Sequence, residues 1–325
     1  VPTVATRRAV LPDAPAADVR SQGSPQTWTT TVLGTLPGHV FSIAYDISDN
    51  GTVVGYSQSS TSGLLPFYWT QAGGMKQLAV PIHASEGVAR AISDNGAYVT
   101  GEVKLGDGRL VPARWRWSGG KSVVALIGCH SGRGYSGSGL GVNNAGTVVG
   151  SANSAAWSWP LGSSCGSPIT IQGTPMSHAY GINDLGTIVG AGWSPRRGFV
   201  KTVSLAAQLQ PSPGDGAAWA HAVNDANEVV GRSNTGTSGA HGAPVYWNAG
   251  AGPPALVLAP SFFLYGFVQL SDKGRIVWQT ATGGMSRKGT TTWALSIWPN
   301  GVNACGDIVG MSTNGAVRMK KLACD

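Results

Sequence analysis

Charge is scarce in this chain: only 11% of its 325 residues are charged, against roughly 25% in an average soluble protein. That composition does not suit long helices, which draw on Glu, Lys, Ala and Leu. Acids are fewest of all, with three glutamates and twelve aspartates, so the net charge of +7 reflects missing acids and not dense basic runs. Nucleic-acid binding is disfavoured, because no basic stripe is interleaved with aromatics. No apolar run approaches the roughly 20 residues that span a bilayer as a helix. The four cysteines (Cys129, Cys165, Cys305, Cys324) include no C-x-x-C pair, which argues against a structural zinc site. The six histidines are scattered, which argues against a metal hydrolase. The nearest approach to a G-x-S-x-G elbow, Gly134-Tyr135-Ser136-Gly137-Ser138, fails at its last position. No phosphate loop or dinucleotide fingerprint occurs in its required context.

Glycine, in contrast, is abundant at 48 residues, and hydrophobic residues make up 42%. Together they predict short strands and tight turns around a real core. A self-similar segment recurs seven times: AYDISDNGTVVG (44–55), ARAISDNGAYVTG (89–101), GLGVNNAGTVVG (139–150), AYGINDLGTIVG (179–190), AHAVNDANEVVG (220–231), FVQLSDKGRIVW (267–278) and PNGVNACGDIVG (299–310). The aligned aliphatics Ile47, Ile92, Val142, Ile182, Val223, Leu270 and Val302 are spaced by 45, 50, 40, 41, 47 and 32 residues, mostly the size of a four-stranded propeller blade. Each unit reads as an apolar strand, an Asn/Asp-rich hairpin turn, a Val/Ile strand, a variable loop, an aromatic strand such as Pro66–Trp69, and a fourth strand. The fold expected is therefore all-β, a seven-bladed β-propeller over 28–325, with 1–27 as an N-terminal extension or linker. The tryptophans of the third strands are read as inter-blade packing. The seventh unit ends after its third strand (Ala316–Leu322), so Thr30–Leu36 is expected to complete that blade and close the ring. The short sixth unit is expected to borrow an outer strand from residues 3–11.

The pattern N-D-x-G-x-V-V-G, a loop, then an aromatic-ended strand resembles the bacterial extracellular repeats of the HAF family over residues 28 to 325. In place of the His-Ala-Phe step that names the family stand Leu65-Pro66-Phe67, Ala243-Pro244-Val245 and Gly198-Phe199-Val200. The resemblance implies an exported propeller and carries no catalytic residue with it. The chain opens at Val1 without methionine, which suggests a mature secreted or periplasmic chain after signal removal. Two disulfides suit that compartment. Cys305 and Cys324 both belong to the turn face and are expected to pair, leaving Cys129 with Cys165.

Function is expected on the face bearing the variable loops (57–64, 81–87, 103–110, 129–138, 193–197, 209–218, 232–243 and 279–289), around the central channel. Two residues before each aligned aliphatic stand Tyr45, Arg90, Leu140, Tyr180, His221, Val268 and Asn300. Just after the second-strand glycine stand Tyr56, Glu102, Ser151, Ala191 and Arg232, with His178, Trp193, Arg196 and Arg197 close by. Paired-carboxylate glycoside hydrolysis has few candidates clear of the turns: Asp46, Glu86, Glu102, Asp107 and Asp215. What the set offers is Tyr, His and Arg, the residues of uronate β-elimination. Arginine neutralises the carboxylate while His or Tyr moves the protons. Tyr45, Arg90, His178, Tyr180, His221 and Arg232 are the catalytic candidates, with Tyr56, Glu102, Trp193, Arg196, Arg197 and Asn300 as substrate-binding ones. The expected partner is an extracellular, acidic polysaccharide, met by a monomer. The second reading is a non-catalytic lectin or adhesion module. No cofactor is implied, although the Asp/Asn-rich turns leave room for a structural calcium ion.

Overall fold

A computed structural model describes residues 28–324 apart from 62, 119, 129–135, 164, 173, 193–195, 235–241, 249–253, 255 and 259–265. Among the described residues there is no helix, and seven four-stranded antiparallel sheets follow one another as propeller blades. From the axis outward, blade 1 comprises His39–Ile47, Val53–Ser59, Leu64–Thr70 and Gly74–Gln77. The innermost strands of blades 2 to 7 are Ala84–Ile92, Gly137–Val142, His178–Ile182, Ala217–Val223, Val268–Leu270 and Trp298–Val302. The hydrophobic core lies between neighbouring sheets. Val189, Val200 and Leu209 of blade 4, for example, pack on Ala220, Val229 and Trp247 of blade 5. Trp115, Trp159 and Trp247 of the third strands are fully buried. The Trp115 and Trp247 indoles donate to Ala79 O (2.6 Å) and Gln210 O (3.0 Å) in the connections from the preceding blades.

The repeat turns tie each blade to the next. Asn183 Oδ1 accepts the Thr187 N–H at 2.8 Å and closes its own turn, while Asn183 Nδ2 donates to Asn224 O of blade 5 at 2.8 Å. Asn143, Asn224 and Asn303 likewise donate to the carbonyls of Asn183, Ser271 and Ser48. The following aspartates take backbone N–H groups from the blade before: Asn144 to Asp184 (2.7 Å), Asp184 to Asp225 (2.9 Å), Asp225 to Asp272 (3.0 Å) and Ala304 to Asp49 (2.9 Å). The last of these closes the ring. The Asn-Asp pair of the repeat thus satisfies polar groups that blade packing would otherwise strand. The turns need one left-handed residue, supplied by Gly186 in blade 4 (φ 79°) and by Asn227 in blade 5 (φ 60°); asparagine tolerates that region best after glycine.

Blade 7 takes its outer strand from the N-terminal side, as expected. The strand runs over Trp28–Val32, pairing antiparallel with Gly315–Lys321 from Trp28↔Lys321 to Val32↔Val317. The expected Thr30–Leu36 is shifted because Leu33 and Leu36 leave the sheet for the core between blades 7 and 1. Trp28 also meets Trp293 of blade 6 edge-on at 6.4 Å, and both rings flank the fully buried Arg275 guanidinium. Blade 6 corrects its expectation. It builds its own four strands, continuing with Arg275–Thr280, Gly283–Lys288 and Thr291–Leu295, because the turns between these three are only two residues long. The expected loop 279–289 is therefore mostly strand, and the proposed donor 3–11 lies outside the described residues. The expected loop 103–110 is likewise a tight turn between Tyr98–Leu105 and Leu110–Ser118.

Cys305 and Cys324 form a disulfide across 19 residues. Beside it a buried Asp307–Arg318 ion pair (2.5 Å) holds the last strand. Cys165 is also disulfide-bonded; its expected partner Cys129 lies outside the described residues. Closing a loop of this size removes unfolded-state entropy worth about 3 kcal/mol. Cys324→Ser is therefore expected to lower unfolding stability by about that amount in urea titrations, with little change in the m-value.

Candidate functional site

One backbone device places the channel-facing residues. The innermost strand is bulged against the second strand at Tyr45, Arg90, Leu140, Tyr180, His221 and Asn300. Opposite each bulge sits the repeat glycine: Gly55, Gly101, Gly150, Gly190, Gly231 or Gly310. A methyl group there would lie 1.9–2.0 Å from a carbonyl oxygen of the innermost strand. The glycine lets the bulge fold down, and the bulge re-aims one side chain. Blade 6 carries Trp278 in place of the glycine and pairs without a bulge. Val268, expected at the mouth, is consequently fully buried, and Gln269 lines the channel instead. The channel encloses a cavity of about 120 Å³ whose lining includes Tyr45, Arg90, Leu140, Tyr180, His221 and Gln269.

Two chemically different walls face each other. On blades 1 to 3, Glu102 holds Arg90 through Nε (2.7 Å) and Nη2 (2.5 Å) and also accepts the Ser138 hydroxyl. Arg90 lies over the Tyr45 ring at 5.5 Å, and Tyr45 tilts against Tyr56 at 5.8 Å. Burial alone would lower the Arg90 pKa, but the Glu102 carboxylate outweighs it and lifts the group above its ordinary value. Burial pushes the Tyr56 hydroxyl to about 12 and raises Tyr45 as well. This wall is net neutral and rich in hydroxyls.

The wall on blades 4 to 6 carries an uncompensated cation. The Arg232 guanidinium stacks over Trp219 at 4.6 Å, and its buried Nε finds no acceptor among the described residues. Burial lowers its pKa, partly opposed by Tyr180. Around it, His178 stacks on Tyr180 at 5.5 Å and 7°, Tyr180 meets His221 at 5.7 Å, and Phe267 closes on both Tyr180 (5.5 Å) and His221 (4.9 Å). His221 is 3% exposed and accepts the Val268 N–H at Nδ1 (3.1 Å). A neutral imidazole accepting at Nδ1 carries its proton on Nε2. Burial first, and Arg232 second, hold its pKa well below the ordinary value, so His221 is a neutral Nε2–H donor. Burial also lowers His178 and raises Tyr180.

The structure thus gathers His178, Tyr180, His221 and Arg232 on one side and Tyr45, Tyr56, Arg90 and Glu102 on the other. It corrects three assignments. Arg90 is occupied by Glu102 and is no free carboxylate clamp. His221 has no accepting nitrogen left to act as a base. Asn300 is a structural bridge from blade 7 to both neighbours, donating to Ala44 O of blade 1 (2.8 Å) and accepting from Gln279 of blade 6 (2.7 Å). Arg196 and Arg197 stand apart from the channel lining, where Arg196 O and an Arg197 Nη1 donor pin their loop to Ala218 and Gly216 of blade 5. Trp193 lies outside the described residues, as do 235–241 of the expected loop 232–243. Trp219, Phe267, Ser138 and Gln269 were not anticipated. Trp219 was accessible from period-two alternation, two residues before His221 on the same strand.

The remaining carboxylate candidates have partners of their own, although Asp46 lines the channel cavity together with Asp94, Asp225 and Asp272. Asp46 is pushed up to about 7 by burial and accepts the Ile47 and Ile92 N–H groups. Glu86 pairs with Lys104, Asp107 with Arg109, and Asp215 with Ser233. Among the described residues, no three His, Cys, Asp or Glu side chains are placed to hold a metal ion, and no helix is long and apolar enough to cross a membrane.

No family model matches the chain, and no curated protein matches it. Among solved structures it is similar to the putative TolB from Agrobacterium tumefaciens. That match has a TM-score of 0.48 and 14% identity, over 90% of this chain and 94% of that one.

Proposed function

We propose that the protein is an extracytoplasmic receptor for an acidic polysaccharide, holding a uronate carboxylate at Arg232. One observation carries this reading: a guanidinium stacked on Trp219, its Nε buried and without an acceptor among the described residues. A buried charge left unpaired is costly, and a carboxylate supplies the missing partner in the bidentate geometry that arginine favours. Phe267, 47% exposed beside Tyr180 and His221, offers a ring face to the sugar, and the net charge of +7 draws an anionic polymer inward. The disulfides support an oxidising compartment. Exported HAF-type repeats remain the kinship we propose, on the repeat residues alone.

Cleavage by β-elimination is the second reading, favoured by the protonation states of the stacked pair. The lowered pKa leaves His178 a neutral base, and the raised one keeps Tyr180 a protonated acid. The base would take the C5 proton, whose electron pair forms the C4=C5 double bond as the C4–O bond breaks and Tyr180 protonates the leaving oxygen. Calorimetric titration with uronate oligosaccharides, run beside ultraviolet absorbance for unsaturated uronate, tests both readings. Heat of binding without new absorbance establishes a receptor. Absorbance that rises and is lost in Tyr180→Phe establishes a lyase. No heat with any uronate overturns the proposal.

A further inference from the structure

Arg90 lines the channel, and Arg232 stands three blades away beside the channel-lining Tyr180 and His221; of the two, Arg90 alone has a carboxylate partner among the described residues. The Arg90 guanidinium is bonded through Nε and Nη2 to a carboxylate that is itself 4% exposed, so the pair presents no net charge to a ligand. A uronate carboxylate brought there would meet Glu102 as well as Arg90. Like charges in a poorly hydrated site repel strongly enough to reject an anion. What the wall does present is neutral polar chemistry. The Arg90 side chain keeps 35% exposure, and the Tyr45 and Tyr56 hydroxyls stay protonated at any physiological pH. The tilted Tyr45–Tyr56 pair adds the ring surface on which a pyranose face packs. Leu140 of blade 3 stands between the two walls as an apolar spacer.

The channel below is small. Its cavity of about 120 Å³ falls short of the roughly 300 Å³ at which pockets begin to enclose a whole organic ligand. A polysaccharide therefore lies across the mouth and touches both walls with different sugar units.

We infer that the wall formed by Tyr45, Tyr56, Arg90 and Glu102 is a subsite for an uncharged, hydroxyl-rich sugar. The ligand is then a heteropolysaccharide alternating uronate with neutral sugar, not a homopolymer of uronate. This rests on the reading of Arg232 as the uronate anchor. Glu102 is the specificity-determining residue, acting by occupying Arg90.

The test titrates two probes at one fixed ionic strength: a hexasaccharide alternating glucuronate with N-acetylglucosamine, and a galacturonate hexamer. The wild type is expected to prefer the alternating probe by roughly tenfold, the equivalent of one good charged contact. Glu102→Gln keeps the side-chain shape but frees the Arg90 charge, and is expected to reverse the preference by gaining affinity for the galacturonate hexamer. Tyr56→Ala is expected to weaken the alternating probe alone, and it decides the case if Glu102→Gln fails to fold in thermal melting. Equal binding of the two probes by wild type, with no change of preference in Glu102→Gln or Tyr56→Ala, overturns the inference and leaves the Arg232 reading standing. If Arg232→Gln binds both probes as tightly as wild type, the uronate reading itself falls.

Discussion

Arg232→Gln is expected to weaken binding of a uronate oligosaccharide by roughly 100-fold, the 2–3 kcal/mol typical of removing one partner from a desolvated charged contact. The size follows from the environment. The half-buried guanidinium rests on Trp219 at 4.6 Å, and burial already lowers its pKa, so water screens its field less than at the open surface. Glutamine retains an amide donor but loses the charge and the planar fork. Protein stability is expected to move the other way, or not at all, because an uncompensated buried cation is a liability to the unliganded fold. That pairing of outcomes separates a binding role from a structural one. A calorimetric affinity that falls while the urea midpoint holds or rises supports the ligand role. A midpoint that falls with unchanged affinity makes Arg232 a packing residue whose cation–π contact with Trp219 is its whole purpose.

The contrast between Arg232 and Arg90 marks the limit of what residue order reveals. The repeat itself was legible because a fixed chemistry recurs. Asn or Ser closes each turn, Asp reaches back to the previous blade, glycine or Asn227 turns left-handed, and a second glycine faces the bulge. Those requirements are local, so they leave a local signature, and they located the bulged position in six blades and a channel-lining residue in five of them. Charge pairing is not local. Glu102 stands on the second strand opposite Val88, and only the bulge at Arg90 swings the guanidinium onto that carboxylate. Nothing in the repeat positions of Arg90 and Glu102 in blade 2 separates them from His221 and Arg232 in blade 5, where a cation stands in place of the acid. The loss of glycine at Trp278 was visible, but its consequence for Val268 depends on knowing that glycine and bulge are coupled. Asn300 shows the same dependence, since its partners Ala44 and Gln279 belong to the first and sixth blades.

The coupling of glycine to bulge leads to the largest stability effect expected in this protein. Gly231→Ala should destabilise the fold by about 3 kcal/mol, the upper part of the range for inserting a methyl group where no room exists. The added carbon would meet Trp219 O at 1.9 Å and Ala220 Cα at 3.0 Å, both backbone atoms that no rotamer change can move. The strand has one escape, which is to straighten as blade 6 does opposite Trp278. Straightening shifts the register by one residue, and a one-residue shift sends alternate side chains to the other face. His221 would then leave the channel, and Trp219 would leave Arg232. Gly231→Ala is therefore expected to lose uronate affinity together with stability, even in the fraction that remains folded. Gly106→Ala provides the matched control. Its methyl group would find only His83 O, at 3.7 Å, and no positive φ is involved, so it should be neutral or slightly stabilising through the unfolded chain. Urea midpoints and calorimetric titration of the two variants decide the matter. If Gly231→Ala melts like Gly106→Ala and binds normally, the bulge does not depend on its glycine. The repeat would then need another reason to carry that glycine in six blades of seven.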